Sequence, residues 1–259
     1  MKVLIAGAGI GGLTTALMLH ARGIPVQIYE TATEVREAGV GINILPHAIR
    51  ELETLGLLPE LDTVGLRTRR LTYYTRSGQE VWSELRGTYA GHEVPQFSIH
   101  RGRLQNLLYK AVLDRLGPEA VQTGRRLGGF VQQDRGVTAH FANSIDGSTG
   151  VTVRSDVLIC CDGIHSAGRK VFYPNEKSPS WNGVMMWRGA VDWPAWQDSE
   201  SMAIGGGLGG KFVLYPITQA KDGRQLMNWV VNVRVKDPAI SPPPANNWSR
   251  KVSLALVLP

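Results

Sequence analysis

Gly7, Gly9 and Gly12 stand in the pattern G-x-G-x-x-G, Gly11 lies inside the same turn, and Glu30 follows downstream. That spacing is what a dinucleotide requires. The first glycine makes the tight bend, the second lets a pyrophosphate reach the backbone, and the third allows a helix to pack closely on a strand. The free N–H groups and positive dipole end of the helix that follows then face the diphosphate. A carboxylate at Glu30 accepts hydrogen bonds from a ribose hydroxyl pair and repels a 2′-phosphate, which favours FAD or NAD over NADP as the first ligand. The elements that must position these residues are legible around them. The apolar run of residues 3–6 predicts a buried strand, and Leu13, Ala16, Leu17 and Leu19 mark a helix. Gly23 and Pro25 stop that helix, and residues 26–30 predict a second strand carrying the acid at its end. Together they make a complete βαβ unit.

A second constellation lies far along the chain. Residues 157–161 read as a buried strand that delivers Asp162-Gly163, followed by Ser166 and Arg169 at the start of a helix. Gly163 permits close backbone approach, Asp162 can order a hydroxyl or a water, and Arg169 can counter phosphate charge. The same residues also fit a plain turn followed by a helix cap.

Composition narrows the class. The chain has 259 residues, 43% of them hydrophobic, and a net charge of +6 contributed by scattered arginines. Without a block of like charge it carries no nucleic-acid tail. The run at the N-terminus is broken by glycines at fingerprint spacing, which a secretory leader's core is not, and His20 and Arg22 interrupt it well short of a membrane span. The two cysteines, Cys160 and Cys161, are adjacent and ill-suited to pair, so a reducing cytoplasm is expected. The six histidines show no ligand spacing, and no metal site is expected.

Further elements follow the periodicity. Helices are predicted over residues 46–55 and 103–116, and strands over 71–82 around a turn at Ser77-Gly78. Short strands near Val121 and over 127–132, 137–141 and 151–161 predict a meander beside the main sheet, and strands recur over 185–191, 211–215 and 226–235. The expected fold is α/β: a Rossmann-like FAD-binding domain of residues 1–70 and 100–180, interleaved with a β-sheet-rich substrate domain of 71–99 and 181–259. Gly205-x-x-x-x-Gly210-Lys211 has P-loop spacing, but Phe212 replaces the required Ser or Thr, so a hairpin turn is expected there.

The two motifs together resemble those of the class A flavoprotein monooxygenases, the group that includes 4-hydroxybenzoate and salicylate hydroxylases. The likeness is closest to the phenazine-modifying branch. It is carried by Gly39-Val40-Gly41-Ile42-Asn43-Ile44, by Val81-Trp82-Ser83-Glu84-x-Arg86-Gly87, by the run from Pro95 through Gln96, Phe97, Ser98, Ile99, His100 and Arg101 to Gly102, and by Met186-Trp187-Arg188-Gly189. It covers essentially the whole chain. The resemblance implies that Gly7, Gly9, Gly11 and Gly12 hold the FAD pyrophosphate and Glu30 the adenosine ribose. It further implies backbone contact of Val40 and Gly41 with the ribityl chain or flavin, a guanidinium contact from Arg101, a backbone contact of Leu127 with adenine, and contact of Asp162 and Gly163 with the nucleotides. NADH or NADPH would reduce FAD, and a flavin C4a-hydroperoxide formed with O₂ would hydroxylate an aromatic or N-heteroaromatic substrate. The cofactor supplies that chemistry, so no catalytic residue is assigned. Trp187, Arg188 and Tyr215 are expected to line the substrate cavity, or else to be core of their sheet.

Three departures from the family pattern stand out. The family has small residues at the places of Cys160 and Cys161 and an apolar residue at that of Gly168. Its third motif, a Gly-Asp-Ala run, has no counterpart after Pro238, so the chain is expected to be C-terminally truncated. Two other readings remain: a non-catalytic FAD-binding fragment, motivated by the missing motif, and an NAD-dependent dehydrogenase sharing the βαβ unit. Oligomeric state is not readable.

Overall fold

The computed structural model describes residues 1–148, 150–177 and 183–234. The N-terminal apolar run forms β1 (Val3–Ala6), buried along its whole length, and the glycine turn leads into α1 (Ile10–His20). Gly23 takes a positive φ of 69° just after that helix, and β2 (Val26–Tyr29) returns the chain beside β1. Next come β3 (Gly41–Ile44), α2 (Pro46–Thr54), α3 (Leu58–Val64), β4 (Gly65–Arg67), β5 (Arg70–Tyr74) and β6 (Glu80–Leu85). The long α4 (Arg101–Leu116) starts directly from β7 (Phe97–His100). After β8 (Val121–Gln122) the chain makes the meander β9 (Arg125–Gln133), β10 (Gly136–Asn143) and β11 (Val151–Ser155). The remaining elements are β12 (Val157–Cys160), α5 (Ala167–Phe172), β13 (Val184–Pro194), β14 (Ser201–Gly206), β15 (Gly210–Pro216) and β16 (Arg224–Arg234).

A four-stranded parallel sheet in the order β12-β1-β2-β8 carries the glycine turn at the end of β1. Leu13, Ala16 and Leu17 of α1 pack with Leu104, Leu108 and Val112 of α4 in the main core beneath it. Residues 151–161 do not form one strand, as the sequence pattern predicts. The chain breaks at Asp156, whose Oδ2 accepts the Lys2 N–H at 2.6 Å, so β11 stays in the meander and β12 crosses to the parallel sheet. Nor is β12 buried. It is an edge strand with β1 on one side alone among the described residues, and Val157 and Cys160 are exposed.

The six-stranded sheet runs β13-β16-β15-β14-β5-β6. Early strands β5 and β6 join the late ones through the parallel β5–β14 pairing, Leu71 opposite Met202. Residues 235–259, assigned on sequence to the substrate domain, lie outside the described residues. The P-loop look-alike is the β14–β15 hairpin, as expected. Between the two large sheets lies the small sheet β3-β7-β4. Its centre holds a buried polar chain: Ser98 donates its one hydroxyl proton to Asn43 Oδ1 at 2.7 Å, so Thr68 donates to Ser98 Oγ, also at 2.7 Å. The Glu84-x-Arg86-Gly87 motif is structural. Arg86 pairs with Glu84 and donates to Gln96 Oε1, while a Cβ on Gly87 would strike the backbone of Pro95 and Gln96.

Phe97 in β7 is fully buried where the small sheet meets the main core. Truncating such a ring costs about 3–5 kcal/mol, so Phe97→Ala will lower the urea midpoint of unfolding by a corresponding amount without changing the m-value.

Candidate cofactor site

The four glycines of the turn fall into two kinds of surroundings. Gly7 has φ +105°, and a Cβ there would sit on the carbonyl oxygen of Cys161. A Cβ on Gly12 would strike the carbonyl oxygen of Gly7 itself. At Gly9 and Gly11, by contrast, a Cβ would meet nothing within 4 Å. The first pair closes the turn, and the second pair keeps its outer face open to a ligand. Gly9 is the N-cap of α1 with no side-chain cap, and the first turn of the helix holds no acid. The first-turn N–H groups therefore keep their donors, and their dipole, for an anion.

The Glu30 carboxylate is already at work. Its Oε2 accepts the Ala8 N–H at 2.6 Å and its Oε1 the Ala32 N–H at 2.7 Å. It fixes the glycine turn to the end of β2, and each oxygen keeps a lone pair for a ribose hydroxyl.

The second motif abuts the first. Cys161 N–H donates to Ala6 O at 2.8 Å, and Asp162-Gly163 follows at the mouth of the glycine turn. Asp162 Oδ2 accepts from Ala167 N at 2.6 Å and Gly168 N at 3.2 Å, while Ser166 Oγ caps Arg169 N. The cap reading of these residues is thus part of the structure. Yet Asp162 Oδ1 is buried without a partner, and Gly163, at φ +80°, has open space where a Cβ would be. Arg169 is committed to Glu176. The two departures at Cys160 and Gly168 compensate each other, because a Cβ at position 168 would collide with the side chain of Cys160. Although the residue is exposed as a whole, partial burial of its Sγ against Gly168, then the nearby charges of Asp162 and Cys161, push the Cys160 thiol up to about 11, so it is no thiolate nucleophile at neutral pH.

Helix α4 carries the site onward. Gln105 Nε2 donates to Ala8 O at 2.9 Å, which holds the helix against the glycine turn. One turn earlier on the same face is Arg101, exposed, with no ion pair among the described residues. Its methylenes lie under Gly39. The loop Gly39-Val40-Gly41 is held at three backbone groups. His100 Nε2 lies 3.1 Å from Gly39 O, Arg101 N–H donates to Val40 O, and Asn228 Oδ1 accepts the Gly41 N–H at 2.7 Å. Gly41 must be glycine, since a Cβ would lie 2.7 Å from Asn228 Cγ and 2.8 Å from the Tyr215 ring. Leu127 is different: its side chain is core beside Leu4 and Phe141, which leaves its backbone for any ligand.

In the six-stranded sheet the alternation of side chains separates the three candidate substrate residues. Tyr215 faces Asn228, and Arg188 faces Val230, two residues further along β16, so both lie on the face turned to Gly41. Trp187 faces Val231 and lies on the other side. The structure therefore brings Arg188 and Tyr215 together and leaves Trp187 out. Tyr215 is 4% exposed, and burial pushes its phenol up to about 12 against the opposing pull of Arg188.

Sequence reasoning missed His100 and Asn228. Both were open to discovery: His100 precedes Arg101 directly, and Asn228 is a lone amide in the apolar run Leu226-Met227-Asn228-Trp229-Val230-Val231. Among the described residues the buried side-chain polar atoms without partners are His100 Nδ1, Asp162 Oδ1, Asn228 Nδ2 and Asn232 Oδ1. Uncompensated burial of this kind is costly, and three of the four residues are those just described around the turns and loop. Open glycine faces, an uncapped helix N-terminus and these idle polar atoms fit an extended dinucleotide such as FAD. No cluster of metal-ligating side chains occurs among the described residues, and no helix there is long and apolar enough to cross a membrane.

Comparison with known proteins agrees. The FAD binding domain family matches residues 1–237. The phenazine 1,6-dicarboxylic acid hydroxylase PhzS of Lysobacter antibioticus is 41% identical over 235 residues, 89% of this chain and 58% of that one. The FAD-dependent urate hydroxylase of Klebsiella pneumoniae is 30% identical over 206 residues, 74% of this chain and 48% of that one. The crystal structure of Klebsiella pneumoniae HpxO complexed with FAD and uric acid superposes with a TM-score of 0.72 at 26% identity, over 93% of this chain and 58% of that chain. The chain thus spans about half the length of the curated relatives it matches.

Substitution separates the two kinds of glycine. Gly12→Ala overpacks the turn at about 1–3 kcal/mol or more and will lower the melting temperature of the apo chain by several degrees, whereas Gly9→Ala will leave it nearly unchanged and weaken FAD binding at least about tenfold. A double-mutant cycle tests the compensation at α5. Gly168→Ala will destabilise the native sequence more than the Cys160→Ala background, because losing Sγ removes the worst of the collision while the Cβ of residue 160 stays 2.9 Å away, giving a coupling of ~1 kcal/mol.

Proposed function

Because the chain belongs to the FAD binding domain family, we propose that it holds FAD and serves the hydroxylation of a flat aromatic or N-heteroaromatic substrate, with NADH or NADPH as electron donor. The overall reaction is substrate, NAD(P)H, a proton and O₂ giving hydroxylated substrate, NAD(P)⁺ and water. When bound, FAD supplies the electron transfer and the activation of O₂.

One observation carries the reading: a continuous line of groups runs from the glycine turn through Gln105 and Arg101 to the Gly41 junction and the inner face of the six-stranded sheet. The turn and the first-turn amides of α1 would take the diphosphate, Glu30 the ribose, Arg101 a phosphate or flavin oxygen, and Asp162 Oδ1 a hydroxyl. Val40 would present its backbone to the ring end. Gly41 would do so without its N–H, which Asn228 already holds. On this reading residues 1–70 and 100–180 are the cofactor domain and 71–99 with the strands after 181 the substrate domain. Tyr215 and Arg188 would form the substrate wall, the guanidinium suiting a ligand with a carboxylate or other anionic group. The names of the relatives, which act on a phenazine dicarboxylic acid and on urate, support planar heteroaromatic anions as the class. Two free, adjacent thiols support a reducing cytoplasm.

The chain incubated with FAD and stripped of excess will keep flavin absorption bands, and NAD(P)H oxidation will rise when phenazine-1-carboxylate is added. In that assay Arg188→Ala will weaken binding of the aromatic anion about tenfold, a loss of ~1.4 kcal/mol, and Trp187→Ala will not. Flavin lost on gel filtration from a folded chain would contradict the proposal.

A further inference from the structure

Asn228 lies in the middle of β16, is fully buried, and accepts the Gly41 N–H on Oδ1 at 2.7 Å. That bond fixes which way the amide points, because an N–H can donate only to the oxygen. The Nδ2 group therefore faces elsewhere with two protons, and it is buried without an acceptor. Holding Gly41 does not call for it. Its neighbours in the sheet are poor partners: Ala190 stands opposite on one side, and Tyr215, on the other, has its ring against Gly41.

Position gives the idle donor its meaning. Gly41 ends the line that begins at the glycine turn, with Arg101 and Gln105 as the intermediate points. A dinucleotide anchored by its diphosphate at the turn would direct its ring system to this end.

We propose that Asn228 is a ligand-binding residue, its Nδ2 donating to a carbonyl oxygen or heteroaromatic nitrogen of a planar ring that lies against Gly41, while Oδ1 holds the strand behind that ring. One amide then joins the sheet that carries Arg188 and Tyr215 to the loop that carries the cofactor. The inference rests on the FAD-dependent reading above, and it leaves two sources for the acceptor, the flavin ring or the aromatic substrate.

The test is Asn228→Asp, which keeps an acceptor for Gly41 and exchanges the donor for an oxygen. FAD affinity is read by quenching of flavin fluorescence, ring environment by the visible spectrum, and aromatic binding by equilibrium dialysis with phenazine-1-carboxylate on the FAD-loaded chain. Weakening of FAD at least tenfold with a displaced flavin band places the acceptor on the cofactor. Native FAD affinity with aromatic binding weakened at least tenfold places it on the substrate. Native behaviour in both assays overturns the inference and leaves the FAD-dependent reading standing. A wild-type chain that binds no FAD overturns both.

Should Asn228→Asp fail to fold, the unmodified chain labelled with ¹⁵N-asparagine decides the matter. One side-chain NH₂ pair buried in the apo chain must shift on addition of FAD or of phenazine-1-carboxylate. Buried pairs unmoved by either ligand overturn the inference.

Discussion

The carbonyl oxygen of Cys161 lies where a Cβ on Gly7 would have to be, and the rest of the site depends on that contact. It sets two turns far apart in the sequence, at Gly7 and Cys161, against each other with no side chain between them. The hydrogen bond from Cys161 N–H to Ala6 O and the parallel pairing of β1 with β12 hold the register that makes the contact possible. Glu30 then ties the same turn to β2 through the Ala8 N–H. Three adjacent strands of the parallel sheet thereby end at one place, the crevice beyond their carboxyl ends where open α/β sheets bind ligands.

From that fixed point the structure extends mainly by side chains that hold backbone groups. Gln105 reaches a carbonyl of the turn, Arg101 underlies Gly39, and the loop of residues 39–41 is held at one backbone group after another. Glycines recur because close backbone approach leaves no room at Gly7, Gly12 and Gly41, and open faces at Gly9, Gly11 and Gly163 leave room for a ligand. The polar atoms buried without partners mark where the fold is incomplete by itself. Three of the four, His100 Nδ1, Asp162 Oδ1 and Asn228 Nδ2, lie beside the turns and loop of the proposed cofactor site.

Much of this was legible in the sequence, for a physical reason. Hydrophobic period, glycine spacing and a terminal acid are local signals, and they yielded the βαβ unit, α4, the meander and the β14–β15 hairpin. Signals that depend on distant partners were not legible. The Asn228–Gly41 bond spans 187 positions. The edge position of β12 depends on what flanks it in space, and its apolar residues alone read as buried. Trp187 and Arg188 were expected in one cavity, although adjacency in a strand puts them on opposite faces. The substitutions at Cys160 and Gly168 looked like two independent departures until their side-chain space proved to be shared.

The central claim is that one ligand spans from the glycine turn to the six-stranded sheet. Amide hydrogen exchange with FAD and with ADP tests it directly, since ADP has the adenosine and diphosphate but no ring end. Both ligands will slow exchange at residues 9–12, and FAD alone will slow it at residues 39–41 and in β16 around Asn228. Equal protection by FAD and ADP, with β16 unchanged in both, would contradict it.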